Sequence, residues 1–143
     1  MLTSRDYFCS MRAKDVMTRN VVTVYSGQEM STAAQKLRDH RIAGVPVISR
    51  EGRCVGILST KDFLKLSPGK SGAGAVSTYM TSPAVTVSEN HSLLDAAAIL
   101  RSSRIHRVPV VDNQGRVVGI LSTLDIVGQI FKAMEVETEA TVC

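Results

Sequence analysis

The sequence predicts an α+β protein built from one β-α-β-β-α plan used twice, and three observations predict it. The chain repeats itself at a spacing of 63 residues, without a gap, from about position 13 to position 66. Within each copy, short apolar runs of strand composition alternate with stretches of helical spacing. Between the copies lies Ser67-Pro68-Gly69-Lys70-Ser71-Gly72-Ala73-Gly74-Ala75, the composition of a flexible linker. The chain therefore divides into an N-terminal extension (1–12), repeat one (13–66), the linker (67–75), repeat two (76–131) and a C-terminal tail (132–143).

The register of the repeat is strict. Met17-Thr18 falls on Met80-Thr81, Val22-Thr23-Val24 on Val85-Thr86-Val87, and Ala33-Ala34 on Ala96-Ala97. Further along, Val45-Pro46-Val47 meets Val108-Pro109-Val110, Gly56-Ile57-Leu58-Ser59-Thr60 meets Gly119-Ile120-Leu121-Ser122-Thr123, and Asp62 meets Asp125. Each element then follows in order. The apolar runs at 21–24 and 84–87 read as strands. Residues 28–39 place Met30, Ala33, Ala34 and Leu37 at helical spacing, and Leu93, Ala96, Ala97 and Leu100 repeat that stripe. Val45 to Ile48 and Cys54 to Leu58 flank Arg50-Glu51-Gly52, a hairpin pattern that copy two repeats around Asp112-Asn113-Gln114-Gly115. Asp62 to Leu66 and Asp125 to Phe131 open the closing helices. One copy of some 55 residues has a marginal core, so the two are expected to fold as an obligate pair.

Composition narrows the function classes. A hydrophobic fraction of 44% and a charged fraction of 21% describe an ordinary globular chain. Aromatics make up only 4%, with no Trp, so the core must be aliphatic. Cys9, Cys54 and Cys143 are odd in number and far apart, which points to a reduced, cytoplasmic setting and to neither a disulfide framework nor a zinc site. Cys54 lies in an apolar run and reads as a small core residue. No apolar stretch approaches a membrane span, and residues 1–12 lack the apolar run of a secretory signal. The net charge is +4; residues 133–143 hold Glu135, Glu137 and Glu139 and no Lys or Arg, which leaves +7 on the remainder. That favours acidic partners such as phosphates, yet the charge is diffuse and lacks the aromatic platforms of a nucleic-acid binder.

These motifs resemble the cystathionine-β-synthase (CBS) domain family. Its marks are a V-M-T opening, a V-P-V strand and a closing G-h-h-S/T-x-x-D, h being apolar. They stand here as Val16-Met17-Thr18, Val45-Pro46-Val47 and Gly56-Ile57-Leu58-Ser59-Thr60-Lys61-Asp62. They recur as Tyr79-Met80-Thr81, Val108-Pro109-Val110 and Gly119-Ile120-Leu121-Ser122-Thr123-Leu124-Asp125. The resemblance implies tandem repeats packed as a pseudo-two-fold pair, often called a Bateman module, that dimerises. It implies a non-catalytic sensor of AMP, ADP, ATP or S-adenosylmethionine, a regulatory ligand rather than a required cofactor, acting on an attached or partner enzyme or transporter. It further implies clefts split between copies: Ser122, Thr123 and Asp125 with Arg41, Ile42 and Ala43 in one, and Ser59, Thr60 and Asp62 with Ile105, His106 and Arg107 in the other. His106-Arg107 looks like the phosphate-binding pair of the γ subunit of AMP-activated protein kinase. Copy one holds Ala43-Gly44 there, so the two sites are expected to be chemically unequal.

The residue types suit such a ligand. An ionised Asp has two accepting oxygens, which match the adjacent hydroxyls of a ribose. Bonds of this charge-assisted kind contribute about 1.5–3 kcal/mol each. Ser122 or Ser59, three residues before its Asp, opens a helix whose free N–H groups favour a phosphate. Plainer readings compete. Ser59-x-x-Asp62 and Ser122-x-x-Asp125 also fit a helix capping box, which can coexist with binding. Arg101 and Arg104, like Arg38 and Arg41, have the spacing of a solvated helix face, and His40 and His91 read as surface residues. Gly69-Lys70-Ser71 lacks the earlier glycine of a P-loop, since Leu64 stands at that position. No catalytic constellation or metal cluster emerges. The alternative to a nucleotide sensor is a structural dimerisation module, with nucleic-acid binding ranked below both.

Overall fold

The computed structural model describes residues 3–66 and 74–142. Its elements run α1 (Ser4–Ser10), α2 (Ala13–Val16), β1 (Val24–Tyr25), α3 (Met30–His40), β2 (Gly44–Ile48), β3 (Cys54–Ser59) and a 3-10 helix (Thr60–Lys65). They continue with α4 (Val76–Tyr79), β4 (Val87–Ser88), α5 (Leu93–Ser103), β5 (Arg107–Val111), β6 (Val117–Ser122) and α6 (Thr123–Val142). The α+β class and the duplicated plan are as read from the sequence. The linker at 67–75 lies outside the described residues except for Gly74 and Ala75.

The chain forms two compact units, and their boundaries are not those of the repeats. The central unit takes the described part of Val21–Val85 with Gln114–Val117. The terminal unit takes the residues up to Asn20, then Thr86–Asn113, then the chain from Val118 on. Each unit thus carries the three strands of one copy and the opening segment of the other.

In the central unit the strand order is β1-β2-β3. β1 runs parallel to β2, pairing Val24 with Val47 and Tyr25 with Ile48. β2 and β3 form the expected antiparallel hairpin, from Gly44 opposite Ser59 to Ile48 opposite Cys54. The strand expected at 21–24 is reduced to Val24 and Tyr25. Only these two residues reach the partner, and the carbonyl of Thr23 is instead capped by Lys36 Nζ at 2.6 Å. Met30, Ala33 and Leu37 of α3 turn inward onto Val24, Val45, Val47, Leu58 and Val76, an aliphatic core. Cys54 is half-buried against this sheet, and burial pushes its thiol pKa up, so it behaves as a packing residue.

The terminal unit repeats the scheme with strand order β4-β5-β6 and Val87 opposite Val110. Its first strand, expected at 84–87, is likewise cut to Val87–Ser88. Leu93, Ala96 and Leu100 of α5 pack on Val87, Val108, Val110 and Leu121, joined by Ala13 and Met17. The extension at 1–12 contains α1, whose start is a capping box: Asp6 N–H donates to Thr3 Oγ1 and Thr3 N–H to Asp6 Oδ2, both at 3.1 Å. α1 packs against α5 and α6, and Tyr7 Oη donates to the buried Gln129 Oε1 at 2.9 Å. The tail read at 132–143 continues α6 as far as Val142. Copy two carries Gln129-Ile130-Phe131-Lys132-Ala133-Met134, good helix formers, where copy one meets the Ser-Pro-Gly of the linker.

The exchanged openings are held in the same way in both units. In the central unit Ile57 N–H donates to Thr81 O at 3.0 Å and Thr81 N–H returns to Ile57 O at 2.9 Å. In the terminal unit Thr18 and Ile120 exchange the same two bonds, each 2.9 Å. The preceding glycine of each strand permits this approach. A Cβ on Gly56 would stand 2.6 Å from Met80 Sδ and 2.9 Å from Thr81 O, and one on Gly119 would stand 2.7 Å from Met17 Cγ. The recurrence of Met-Thr with Gly-Ile in the motifs has this contact as its physical reason.

Candidate functional site

The terminal unit builds its site where α5 hands over to β5. α5 ends on Arg104 in the left-handed region, φ 55° and ψ 43°, with its N–H bonded back to Leu100 and Arg101. A left-handed residue at this point turns the chain sharply and is usually Gly or Asn. Here it carries a guanidinium. The chain then passes Ile105 and His106 into β5. Because β6 pairs with β5, the end of β6 returns to the same edge, and Thr123 meets His106: its N–H donates to His106 O at 2.8 Å and its Oγ1 to the same oxygen at 3.2 Å. The next turn is closed by Ser122 N–H to Asp125 Oδ2 at 2.8 Å and Asp125 N–H to Ser122 Oγ at 3.1 Å.

These elements enclose a cavity of about 410 Å³, within the range of small-molecule sites. Ala97, Leu100, Ile105 and Ile126 form its apolar wall, and Arg101, Arg104, His106 and Thr123 its polar rim. Among the described residues, neither the Arg101 nor the Arg104 guanidinium has a hydrogen-bond or ion-pair partner, and both side chains are exposed. An aromatic heterocycle fits the wall and an anion fits the rim.

The central unit has the corresponding frame. Arg41 is left-handed at φ 53°, and Thr60 N–H donates to Ala43 O at 3.0 Å. Ser59 N–H donates to Asp62 Oδ2 at 2.8 Å, in a second capping box. Asp62 Oδ1 differs from its counterpart by accepting Lys65 Nζ at 2.8 Å.

Within each copy the end of the hairpin is tied to its start: Thr123 sits on His106, and Thr60 on Ala43. The reason is the hairpin: antiparallel pairing brings the residue before its first strand to the residue after its second. Both capping boxes anticipated from Ser-x-x-Asp are present. Ser122, Asp125 and Arg107 adjoin the cavity in sequence without lining it, whereas Arg101 and Arg104, read as a solvated face, do line it. Ala97, Leu100 and Ile126 join them, and the helical stripe had marked Ala97 and Leu100 for the core alone.

The model of the CBS domain matches residues 13–69 and 76–132. The chain belongs to the CBS domain family. It is 33% identical over 115 residues to the CBS domain-containing protein YhcV of Bacillus subtilis, covering 79% of this chain and 81% of that one. It is 31% identical over 117 residues to the inosine-5'-monophosphate dehydrogenase of Aquifex aeolicus, 81% of this chain but only 24% of the dehydrogenase. Among solved CBS structures, CBSX2 in complex with AMP aligns with TM-score 0.74 and 28% identity, over 90% of this chain and 99% of that one. The CBS domain pair of protein MJ0100, in complex with 5-methylthioadenosine and S-adenosyl-L-methionine, aligns with TM-score 0.70 and 27% identity, over 87% and 98%. Among the described residues, no helix of this CBS pair is long and apolar enough to cross a membrane.

Proposed function

We propose that this CBS pair is a non-catalytic regulatory module that binds an adenosine-containing ligand at the cavity between α5, β5 and the start of α6. The single observation that carries the reading is an apolar slot of about 410 Å³ rimmed by Arg101, Arg104 and His106. An adenine ring buries against Ala97, Leu100, Ile105 and Ile126. The two guanidiniums, with Arg107 beside them, meet the phosphates or, for S-adenosylmethionine, the carboxylate. Asp125, with Ser122 and Thr123, takes the ribose hydroxyls. The AMP named with CBSX2 and the S-adenosyl-L-methionine named with MJ0100 support this ligand class. Regulation follows if the ligand favours one arrangement of the pair over another, a change that a partner enzyme or transporter reads in the cytoplasm.

The test is a thermal-shift screen of the full chain against AMP, ADP, ATP and S-adenosylmethionine. At about 100 times the dissociation constant a ligand adds about 2.7 kcal/mol, a shift of several degrees for this size. We expect such a shift with one of the four, lost in Asp125→Ala and in Arg104→Ala. Flat traces with all four remove the reading.

A second reading, dimerisation, is favoured by α6. Leu124, Val127, Phe131 and Met134 follow helical spacing along one face, and Leu124, Phe131 and Met134 are 79%, 62% and 52% exposed. Each such side chain is stabilised by about 1.5–3 kcal/mol when covered. A homodimer paired through α6 covers them. Light scattering after size exclusion is expected to give twice the chain mass, and Phe131→Glu to halve it; a monomeric parent protein rejects this reading.

A further inference from the structure

The two copies present their aspartates differently. We propose that one ligand binds per chain, at copy two, and that Lys65 is the residue that closes copy one. The inference rests on the reading of the copy-two cavity as an adenosine site and names which of two related positions is open.

In copy one both carboxylate oxygens of Asp62 are engaged. Oδ2 takes the Ser59 N–H at 2.8 Å and faces Ser59 Oγ at 3.4 Å, and Oδ1 takes Lys65 Nζ at 2.8 Å. Lys65 is anchored from the other side by Tyr79 O at 3.2 Å. Asp62 is only 4% exposed, so a ribose must displace the ammonium to reach it. That exchange gives up the ion pair with a charged donor for bonds donated by neutral hydroxyls, and leaves the Lys65 ammonium without its carboxylate.

In copy two the same position is Gly128, and no atom lies within 4 Å of where its Cβ would stand. Asp125 is half-buried, its Oδ2 takes the equivalent Ser122 N–H, and among the described residues no lysine caps its other oxygen. The cations differ in the same sense. Arg38 of copy one donates to Gln35 Oε1 at 3.0 Å, whereas its counterpart Arg101 has Ala98 in place of that glutamine. His106-Arg107 stands where copy one has Ala43-Gly44. The cation that copy one needs for its aspartate comes from within the chain, and copy two leaves its aspartate and arginines for a ligand.

Isothermal titration of the full chain with AMP, ATP and S-adenosylmethionine tests this. The expected result is one molecule per chain for the probe that binds, weakened at least tenfold by Asp125→Asn. In Lys65→Gly, which copies the residue of repeat two, a second and weaker event is expected, giving two per chain. Two molecules per chain in the parent protein overturn the inference while leaving the cavity reading intact. So does a single event that survives Asp125→Asn, or a folded Lys65→Gly that still binds one. Circular dichroism checks the fold, and should Lys65→Gly not fold, the parent stoichiometry with Asp125→Asn still decides. No binding of any probe removes the cavity reading, and this inference with it.

Discussion

A chain cut after Leu66 is expected to yield no folded repeat, although it contains every strand of copy one. The fragment keeps β1, β2 and β3 but loses Val76, which is fully buried in their core, and loses Thr81, which holds the edge of β3 at Ile57. It also keeps residues 3–20, whose partners are Leu93 and Ile120 of the other copy. Ala13, 0% exposed in the whole chain, would lie bare. The fragment is expected to give a disordered amide spectrum and no cooperative melt. Mixing it with a separate fragment of residues 74–143 is expected to restore both. A cooperative melt of 1–66 alone would mean that the exchanged openings are dispensable.

The second large effect is expected at the strand glycines. Gly56→Val places its first carbon 2.9 Å from a backbone oxygen, Thr81 O, which cannot swing aside as a side chain does. Either the reciprocal bonds to Ile57 break or β3 bends. Overpacking of this kind costs about 1–3 kcal/mol; Gly119→Val meets the side chain of Met17 instead, down to its Cβ at 3.0 Å, which is fixed to the backbone and cannot swing away. A fall in thermal midpoint of roughly 5–10 °C is expected for each. Gly27→Ala is the control, with nothing within 4 Å of the added carbon, and is expected to stay within about 0.5 kcal/mol of the parent. Equal midpoints for Gly56→Val and Gly27→Ala would sink the argument.

The repeat, the hairpins and the inward stripes of α3 and α5 were legible because each is a local pattern with one physical solution. A stripe at i, i+3 and i+7 has one face to bury. The exchange of openings was not legible, and its cause is the duplication itself. Met17-Thr18 and Met80-Thr81 are the same words, as are Gly56-Ile57 and Gly119-Ile120, so either pairing satisfies the same contacts. Arg101 and Arg104 were missed for another reason: helical spacing says which face a residue occupies, not whether a cavity opens beneath it. Two features did carry unused signals. Thr3-x-x-Asp6 ahead of Tyr7, Phe8 and Met11 marks a capped helix in the extension. Asp62 and Lys65, three apart, are spaced to pair on one helical turn.

The exchanged openings also bear on the order in which the chain can fold as it is made. Synthesis delivers residues 3–20 ahead of the central unit, yet their partners begin at Thr86 and end in α6. At about 5–20 residues per second, the first helix waits several seconds, at the least, for its neighbours to emerge. Meanwhile Val21–Val85 supplies nearly all of the central unit, lacking only Gln114–Val117. The segment made before the central unit is therefore placed after it, and Phe8, Met11 and Met17 travel exposed until α5 and β6 arrive.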